Sequence, residues 1–334
     1  MGSQSHHTRR TLLCALPAGL AASAIPVWAK PTAPIILKAP PGSVRVDPPP
    51  AAKVTVTGES NIRVGSRGEA ITAPDRPIAR GAALAHFEVG FENGDHKFRH
   101  LQLRVESENS VKVAFADQNG DDPFEADARW INLSDGRSGL VSGQGHGRAV
   151  TKMALRQYQD HVFALRGFEF RRAPGTDANI RHLAIRHRNG ILEVLLSDDE
   201  GEGGSRFDDG SGVPRVGDPP EVWETYVQRQ FQRQLLGGGR QGRPYDFSVQ
   251  YVWIPKSLVA STGVVTGSER GTRDAARVPP GRAVLSGFSF SFLNSDHHLL
   301  TLMVSTLEGG MGRFRDNNED DPVRWSIEYV ALRS

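Results

Sequence analysis

The stretch FSFSFLNSDHHLLTLMVS (residues 288–305) decides the fold, together with RFRDNNEDDPVRWSIEYVAL (residues 313–332), which follows it. Apolar residues occupy every second position in its strand-like runs, beginning with Phe288, Phe290 and Phe292. Such alternation places these side chains on one face of a pleated strand. Clusters of Gly, Asn, Asp and Pro separate the alternating runs and are typical of turns. We therefore predict short antiparallel strands joined by turns.

The same order of features occurs twice more in the chain. The first copy reads FEVGFENGDHKFRHLQLRVES (residues 87–107) and then AFADQNGDDPFEADARWINL (residues 114–133). Another copy is interrupted, with GFEFRRAPGTDANIRHLAIRH (residues 167–187) at its front and PYDFSVQYVWI (residues 244–254) at its back. Self-similarity of this kind predicts a fold built from copies of one unit. We predict an all-β chain of three tandem antiparallel β-sandwich-like repeats.

These copies set the predicted domain borders. The predicted segments are a signal peptide (1–29), a Pro-rich linker with an N-terminal strand segment (30–80), repeat A (81–150), repeat B (151–265) and repeat C (266–334). Repeat B contains an insertion, residues 201–243, in which apolar residues recur at steps of four. This period predicts one amphipathic helix at about residues 220–236, and its apolar stripe predicts docking on the parent sheet.

The first 29 residues resemble a twin-arginine export signal. Arg9 and Arg10 precede an apolar, Ala-rich run, which is followed by A-x-A-type cleavage sites. The resemblance implies a periplasmic or secreted protein, and we predict no transmembrane segment after signal removal. Cys14 is the only cysteine, so the mature chain has no disulfide and no thiolate chemistry.

The charge balance argues against a nucleic-acid partner. Removal of the two arginines of the signal leaves basic and acidic residues equal in number. A nucleic-acid-binding protein usually carries a basic footprint that displaces counterions, and the chain as a whole has none.

An acidic loop occurs in repeats A and C. Its alternating oxygen donors are Asp117, Asn119 and Asp121 in repeat A, and Asp316, Asn318 and Asp320 in repeat C. Alternate Asp and Asn side chains are suited to a hard cation, so these six residues are the candidate ligands for calcium, the single cofactor considered. The alternative is a tight turn in which the same side chains bond their own backbone. Both interpretations remain open.

The loops differ from other known acidic sites. An EF-hand requires Gly at the sixth position of its loop, where Asp122 and Asp321 stand. Glycoside hydrolysis requires two carboxylates on opposite sides of one bond, whereas Asp121 and Asp122 are adjacent. In repeat B the acids persist as SDDEGEG (residues 197–203) without the spacing, so an ion site there is predicted to be altered or empty.

Histidines recur near one predicted strand entrance. His96 and His100 fall on the strand face opposite Leu101, which predicts a solvent-side position for both. The sequence shows neither a set of three or four convergent zinc ligands nor a G-x-S-x-G nucleophile motif. We therefore interpret these histidines as surface residues.

Each copy distantly resembles the H-type lectin domain, a small antiparallel sandwich that ends in an aromatic strand. The residues that carry the resemblance are Arg129-Trp130-Ile131-Asn132 and Glu328-Tyr329-Val330-Ala331. Such lectins assemble as trimers and bind sugars, so the resemblance implies a single-chain pseudo-trimer. We predict a non-enzymatic protein that binds glycans or envelope polymers. Two alternatives remain open, a structural or assembly protein of the envelope and a hydrolase with an unrecognised site; the oligomeric state is not predicted.

Overall fold

The computed structural model describes residues 55–92, 97–117, 122–134, 136–147, 150–155, 158–173, 179–198, 243–270, 278, 282–292, 298–307, 311–315 and 322–333. The signal peptide, most of the Pro-rich linker and the predicted helix at residues 220–236 lie outside these ranges. Apart from a short 3-10 helix at Lys256–Leu258, the regular elements in the described ranges are β-strands. The all-β prediction is confirmed for this part of the chain.

The strands follow one another as β1 (Val56–Arg67), β2 (Glu69–Thr72), β3 (Ala83–Phe91), β4 (His100–Ser107), β5 (Ser110–Ala116), β6 (Pro123–Leu133), β7 (Arg137–His146), β8 (Thr151–Ala154), β9 (His161–Arg172), β10 (His182–Arg188), β11 (Ile191–Ser197), β12 (Pro244–Pro255), β13 (Val259–Arg270), β14 (Ala283–Phe292), β15 (Thr301–Ser305), β16 (Met311–Arg315) and β17 (Pro322–Leu332).

These strands form three antiparallel sheets within the described ranges. Sheet I has the order β1-β6-β3-β15-β16, sheet II has β13-β17-β14-β10-β11-β8, and sheet III has β2-β5-β4-β9-β12-β7. One hairpin shows how local sequence sets the pairing. Asn189 and Gly190 join β10 to β11 with φ values of 49° and 79°, which is the two-residue turn that matches the twist of a hairpin.

We call the strands β1–β6, β7–β12 and β13–β17 the first, middle and last thirds of the chain, and each sheet combines strands from two of these thirds. In sheet I, β3 from the first third pairs with β15 from the last third; in sheet III, β9 pairs with β4; in sheet II, β14 pairs with β10. The register is the same in all three, since Phe87 lies opposite Val304, Phe168 opposite Leu103, and Phe288 opposite Ile185. The three pairings therefore close a ring that joins the last third of the chain to the first.

Three phenylalanines meet where β3, β9 and β14 approach one another. The ring centroids of Phe87, Phe168 and Phe288 are 4.9, 5.3 and 5.5 Å apart in the three possible pairs. All three side chains are buried and belong to the main hydrophobic core, to which all three sheets contribute. Aromatic contacts at these distances add to the stabilisation from burial.

A β-bulge interrupts each of these three strands near its beginning. The irregularity falls between Leu84 and His86 in β3 and between Leu285 and Gly287 in β14, and a matching one occurs where β9 pairs with β12. A bulge bends its strand and changes which face the following side chains occupy. Ala83, Ala164 and Val284, which precede the bulges in their strands, belong to a second, smaller core cluster.

The apolar faces predicted from period two are confirmed. Phe288, Phe290 and Phe292 in β14 are buried, as are Trp325 and Ile327 in β17. The residues that alternate with them lie on the opposite, polar face of the strands, for example Ser289 and Ser326. It is this opposite face of the sheets that holds the polar and charged clusters.

Candidate functional site

An open cleft with a volume of about 410 Å³ lies on the polar face of sheet I. We call it the sheet I cleft. Its polar lining consists of Arg63, His86, Glu88, Glu92, Glu125, Asp127 and Thr301. Thr301 belongs to the last third of the chain and the other six to the first, so the cleft lies where the two are joined by β3 and β15.

Strand alternation positions these side chains. In β3, His86 and Glu88 alternate with the core residues Phe87 and Val89 and so project from the opposite face. Register then brings neighbours together, because Asp127 lies opposite both Arg63 of β1 and Glu88 of β3.

Gly90 provides space at one end of the cleft. It lies opposite Thr301 in the β3–β15 pairing. A Cβ atom at this position would lie 3.0 Å from the Thr301 Oγ1 atom and 3.3 Å from the Leu300 carbonyl oxygen. The absence of a side chain therefore keeps this part of the cleft open.

The charges of the cleft are only partly compensated by the protein. His86 Nε2 lies 3.1 Å from Asp127 Oδ1, and Glu88 Oε1 lies 3.6 Å from Arg313 Nη1. Within the described part of the chain, the side chains of Arg63, Glu92 and Glu125 form no ion pair. Charged side chains that are not used by the fold can bind a polar ligand.

The corresponding face of sheet III is already filled by its own side chains. Glu169, in the register position of Glu88, accepts a hydrogen bond from His100 at 3.1 Å and lies 3.6 Å from Arg171. The hydrogen bond from His100, with the nearby positive charges, lowers the pKa of Glu169 below its usual value. The expectation of a surface His100 is therefore wrong. The His100 side chain does project from the face of β4 opposite that of Leu101. It is nevertheless only 7% exposed, because β5 and β9 flank β4 on both sides.

Sheet II also has a buried polar cluster on this face. Arg186 Nη2 donates hydrogen bonds to Ser289 Oγ at 2.5 Å and Ser326 Oγ at 3.2 Å. Its guanidinium also lies 3.8 Å from Glu328, and Arg188 donates to the same carboxylate. Burial lowers the pKa of Arg186, while Glu328 acts in the opposite direction. Arg186 and Arg188 therefore share the Glu328 carboxylate, and Arg186 also binds the hydroxyl groups of two neighbouring strands.

The predicted calcium residues are described only in part. Asp117 directly follows β5 and is 2% exposed. The other five candidate ligands, Asn119, Asp121, Asp316, Asn318 and Asp320, lie outside the described residues. In the ranges that are described, no three or more His, Cys, Asp or Glu side chains are grouped to hold a metal ion. The calcium site remains a prediction.

An aromatic and imidazole cluster lies at one end of β9 and β12. The His187 ring stacks on Phe163 with a centroid distance of 4.5 Å and meets Trp253 edge-on at 5.4 Å. Tyr158 contacts His161 and Trp253, and the Arg137 guanidinium lies 4.7 Å above its ring. Burial lowers the pKa of His187 to about 4.

This burial predicts that stability falls in acid. Burial likewise lowers the pKa of His182 to about 3. Because these pKa values lie below the unfolded value of 6.5, the unfolded chain binds more protons, so the free energy of unfolding is highest above pH 6.5 and decreases toward pH 4. The loss is at most about 3 kcal/mol per imidazole at pH 4, and less where solvent reaches the ring. Urea unfolding at several pH values measures it.

A matched variant isolates one histidine. His187→Phe keeps the ring contact with Phe163 and removes the titrating group, so the slope of unfolding free energy against pH between 6.5 and 4.5 should become shallower. An unchanged slope in this variant contradicts the assignment to His187.

The sheet I cleft was not identified by sequence reasoning. Its residues come from β1, β3, β6 and β15 and from Glu92, which directly follows β3, so they are distant from one another in the sequence. The available signal was the presence of charged residues at alternate positions, Glu125 with Asp127 and His86 with Glu88, between core residues. Alternation alone did not distinguish this face from an ordinary solvated one.

No protein-family model matches the chain, and the curated proteins contain no significant match to it. Among the described residues, none forms a helix of the length and apolar character needed to cross a membrane.

Proposed function

We propose that the chain is an exported, non-enzymatic binding protein that engages a glycan or another envelope polymer through the sheet I cleft. The observation that carries this proposal is the open cleft itself, which is lined by the Thr301 hydroxyl and by Arg63 and Glu125, two side chains with no ion-pair partner among the described residues. Sugar hydroxyl groups both donate and accept hydrogen bonds, so a mixture of carboxylate, guanidinium and hydroxyl groups suits them. A volume of about 410 Å³ falls within the range of small-ligand sites.

The strand pairing supports the proposal that three copies of one unit form this chain. Each third contributes strands to two sheets, and the contacts between thirds use one register throughout. This closed ring is the arrangement expected of a single-chain pseudo-trimer, which the resemblance to H-type lectins implies. The borders of the copies then fall between β6 and β7 and between β12 and β13.

The three copies differ in what their polar faces can do. In sheet III the position of Glu88 holds Glu169, which His100 and Arg171 neutralise. In sheet II the same position holds Ser289, which accepts a hydrogen bond from Arg186. We therefore expect one ligand site per chain on these faces, in sheet I, rather than three equal sites.

Binding assays test the proposal. The mature protein should bind at least one polysaccharide or glycan on an array, with one site per chain by calorimetry. Asp127→Asn should weaken that binding by about tenfold or more, because hydrogen bonds to charged groups contribute roughly 1.5–3 kcal/mol. Isothermal titration calorimetry of the purified variants measures this change.

Asp246→Asn is the matched control. Asp246 lies on β12, opposite Gln144, and accepts a hydrogen bond from that side chain at 2.8 Å on the corresponding face of sheet III. Its substitution should leave glycan affinity unchanged. Equal losses in both variants, or failure of the folded protein to bind any glycan or envelope polymer, contradict the proposal.

A further inference from the structure

The sheet I cleft carries an excess of negative charge. Of the described residues that line it, Glu88, Glu92, Glu125 and Asp127 carry carboxylates and Arg63 carries a guanidinium. The whole chain, by contrast, has a formal net charge of +2. The excess is therefore a local property of this face, and it attracts cations to the cleft.

The register places like charges against each other. Glu88 and Asp127 lie directly opposite in the antiparallel pair of β3 and β6. Like charges at directly opposite positions destabilise a sheet, so this arrangement costs stability in the free protein. In the corresponding pair of sheet III, Glu169 lies beside Ser248, which donates a hydrogen bond to it at 3.4 Å. A positive group bound between Glu88 and Asp127 removes the repulsion.

Among the described residues, few positive groups lie close enough to do this. Arg313 approaches Glu88 only to 3.6 Å, and both side chains are more than a third exposed to solvent. His86 contacts Asp127 through Nε2, while its buried Nδ1 atom has no hydrogen-bond partner among the described residues. Glu92 and Glu125 have no ion-pair partner in the same ranges.

An organic ammonium group suits this site better than a metal ion does. In the part of the chain that the structure describes, no three carboxylate or imidazole groups converge as metal ligands. An ammonium group has three donors and is satisfied by two or three separated acceptors. The remaining polar groups of the cleft, from Arg63 and Thr301, can contact neutral hydroxyl groups next to the amine.

We propose that the ligand of the sheet I cleft is a polysaccharide with free amino groups, such as a de-N-acetylated hexosamine polymer. This inference rests on the proposed glycan-binding function. The protonated amine lies between Glu88 and Asp127, which face each other across β3 and β6, and Glu125 adds to the negative charge nearby. Arg63 and Thr301 bind hydroxyl groups of the same or the next sugar. N-acetylation of the amine removes its charge and so removes the attraction.

Calorimetry with matched oligosaccharides tests the proposal. The probes are a chitosan hexasaccharide, which has free amines, and the fully N-acetylated hexasaccharide, both in a slightly acidic buffer of low ionic strength. The free-amine form should bind about tenfold more tightly or better, and its affinity should decrease as salt is added. The double variant Glu88→Gln/Glu125→Gln should reduce this affinity by about tenfold, as expected for two exposed ion pairs. Asp246→Asn should not change it.

The other outcomes separate this inference from the proposed function. Equal or tighter binding of the N-acetylated form overturns the inference and leaves glycan binding intact, as does binding of a neutral glycan when neither hexasaccharide binds. A hexalysine peptide that binds as tightly as the free-amine sugar shows a general polycation site and overturns the sugar assignment. If no glycan binds at all, both proposals fail.

Discussion

Replacement of Phe168 by alanine is expected to lower the free energy of unfolding by about 3–5 kcal/mol. Phe168 is 1% exposed, and its ring contacts both Phe87 and Phe288, so its removal leaves a cavity where β3, β9 and β14 meet. The surrounding strands are held in register on both sides and can relax only partly. Equilibrium unfolding in urea, followed by circular dichroism and by tryptophan fluorescence, measures the loss.

Leu140→Ala is the control for this substitution. Leu140 is 51% exposed on β7, and its truncation should change stability by no more than about 0.5 kcal/mol. A loss below about 1 kcal/mol in Phe168→Ala contradicts the packing described for the three rings.

The closed ring also predicts how the variant unfolds. Each third of the chain contributes strands to two sheets, and each sheet also contains strands of another third. Unfolding of one third would therefore disrupt two sheets that the other thirds depend on. Phe168→Ala should therefore shift one cooperative transition, seen equally by both probes, instead of producing a separate early transition. A distinct first transition that affects part of the signal indicates that the thirds unfold independently.

The strands and their apolar faces were predictable from the sequence. Residues such as Phe288, Phe290 and Trp325 recur with period two, and this period reports which side of a strand is buried regardless of its neighbours. The pairing of strands between thirds was not predictable in the same way. The three predicted copies present the same alternation, so β4 of the first third could pair with β3 or with β9 on the basis of pattern alone.

The buried polar residues were less accessible to sequence reasoning. Arg172 and Arg186 are 0% and 7% exposed, although arginine is usually found on the surface. Their burial depends on partners that are distant in the sequence, Asp198 for Arg172 and Glu328 for Arg186. The same reason explains why the sheet I cleft was missed, since the carboxylates of β3 and β6 become neighbours only through the pairing of these two strands.

A buried ion pair marks the place where the middle third differs from the others. Arg172 Nη1 lies 2.7 Å from Asp198 Oδ2, and the two side chains are 0% and 1% exposed. Arg172 ends β9, as Phe91 ends β3 and Phe292 ends β14; Asp198 directly follows β11, as Asp117 follows β5. The pair connects a strand of sheet III to the end of a strand of sheet II.

This correspondence bears on the acidic loops. The sequence predicted that the acids of the middle copy persist without the spacing of a cation loop, and Asp198 is the first of these acids. A guanidinium contacts its carboxylate, so the charge of Asp198 is balanced within the protein. Burial lowers the pKa of Arg172, while the charge of Asp198 acts to raise it. The charged pair is thus maintained by each partner stabilising the other.

Asp198→Ala is therefore expected to destabilise the protein by about 3–5 kcal/mol, because it leaves the Arg172 guanidinium buried without a counter-charge. The double variant Arg172→Met/Asp198→Ala removes both charges and should be more stable than Asp198→Ala, since an apolar replacement of a buried pair is often neutral or stabilising. Urea unfolding of the two single variants and the double variant gives the interaction energy directly. Additive losses, with the double variant less stable than either single one, would show that Asp198 stabilises this part of the fold by some means other than its contact with Arg172.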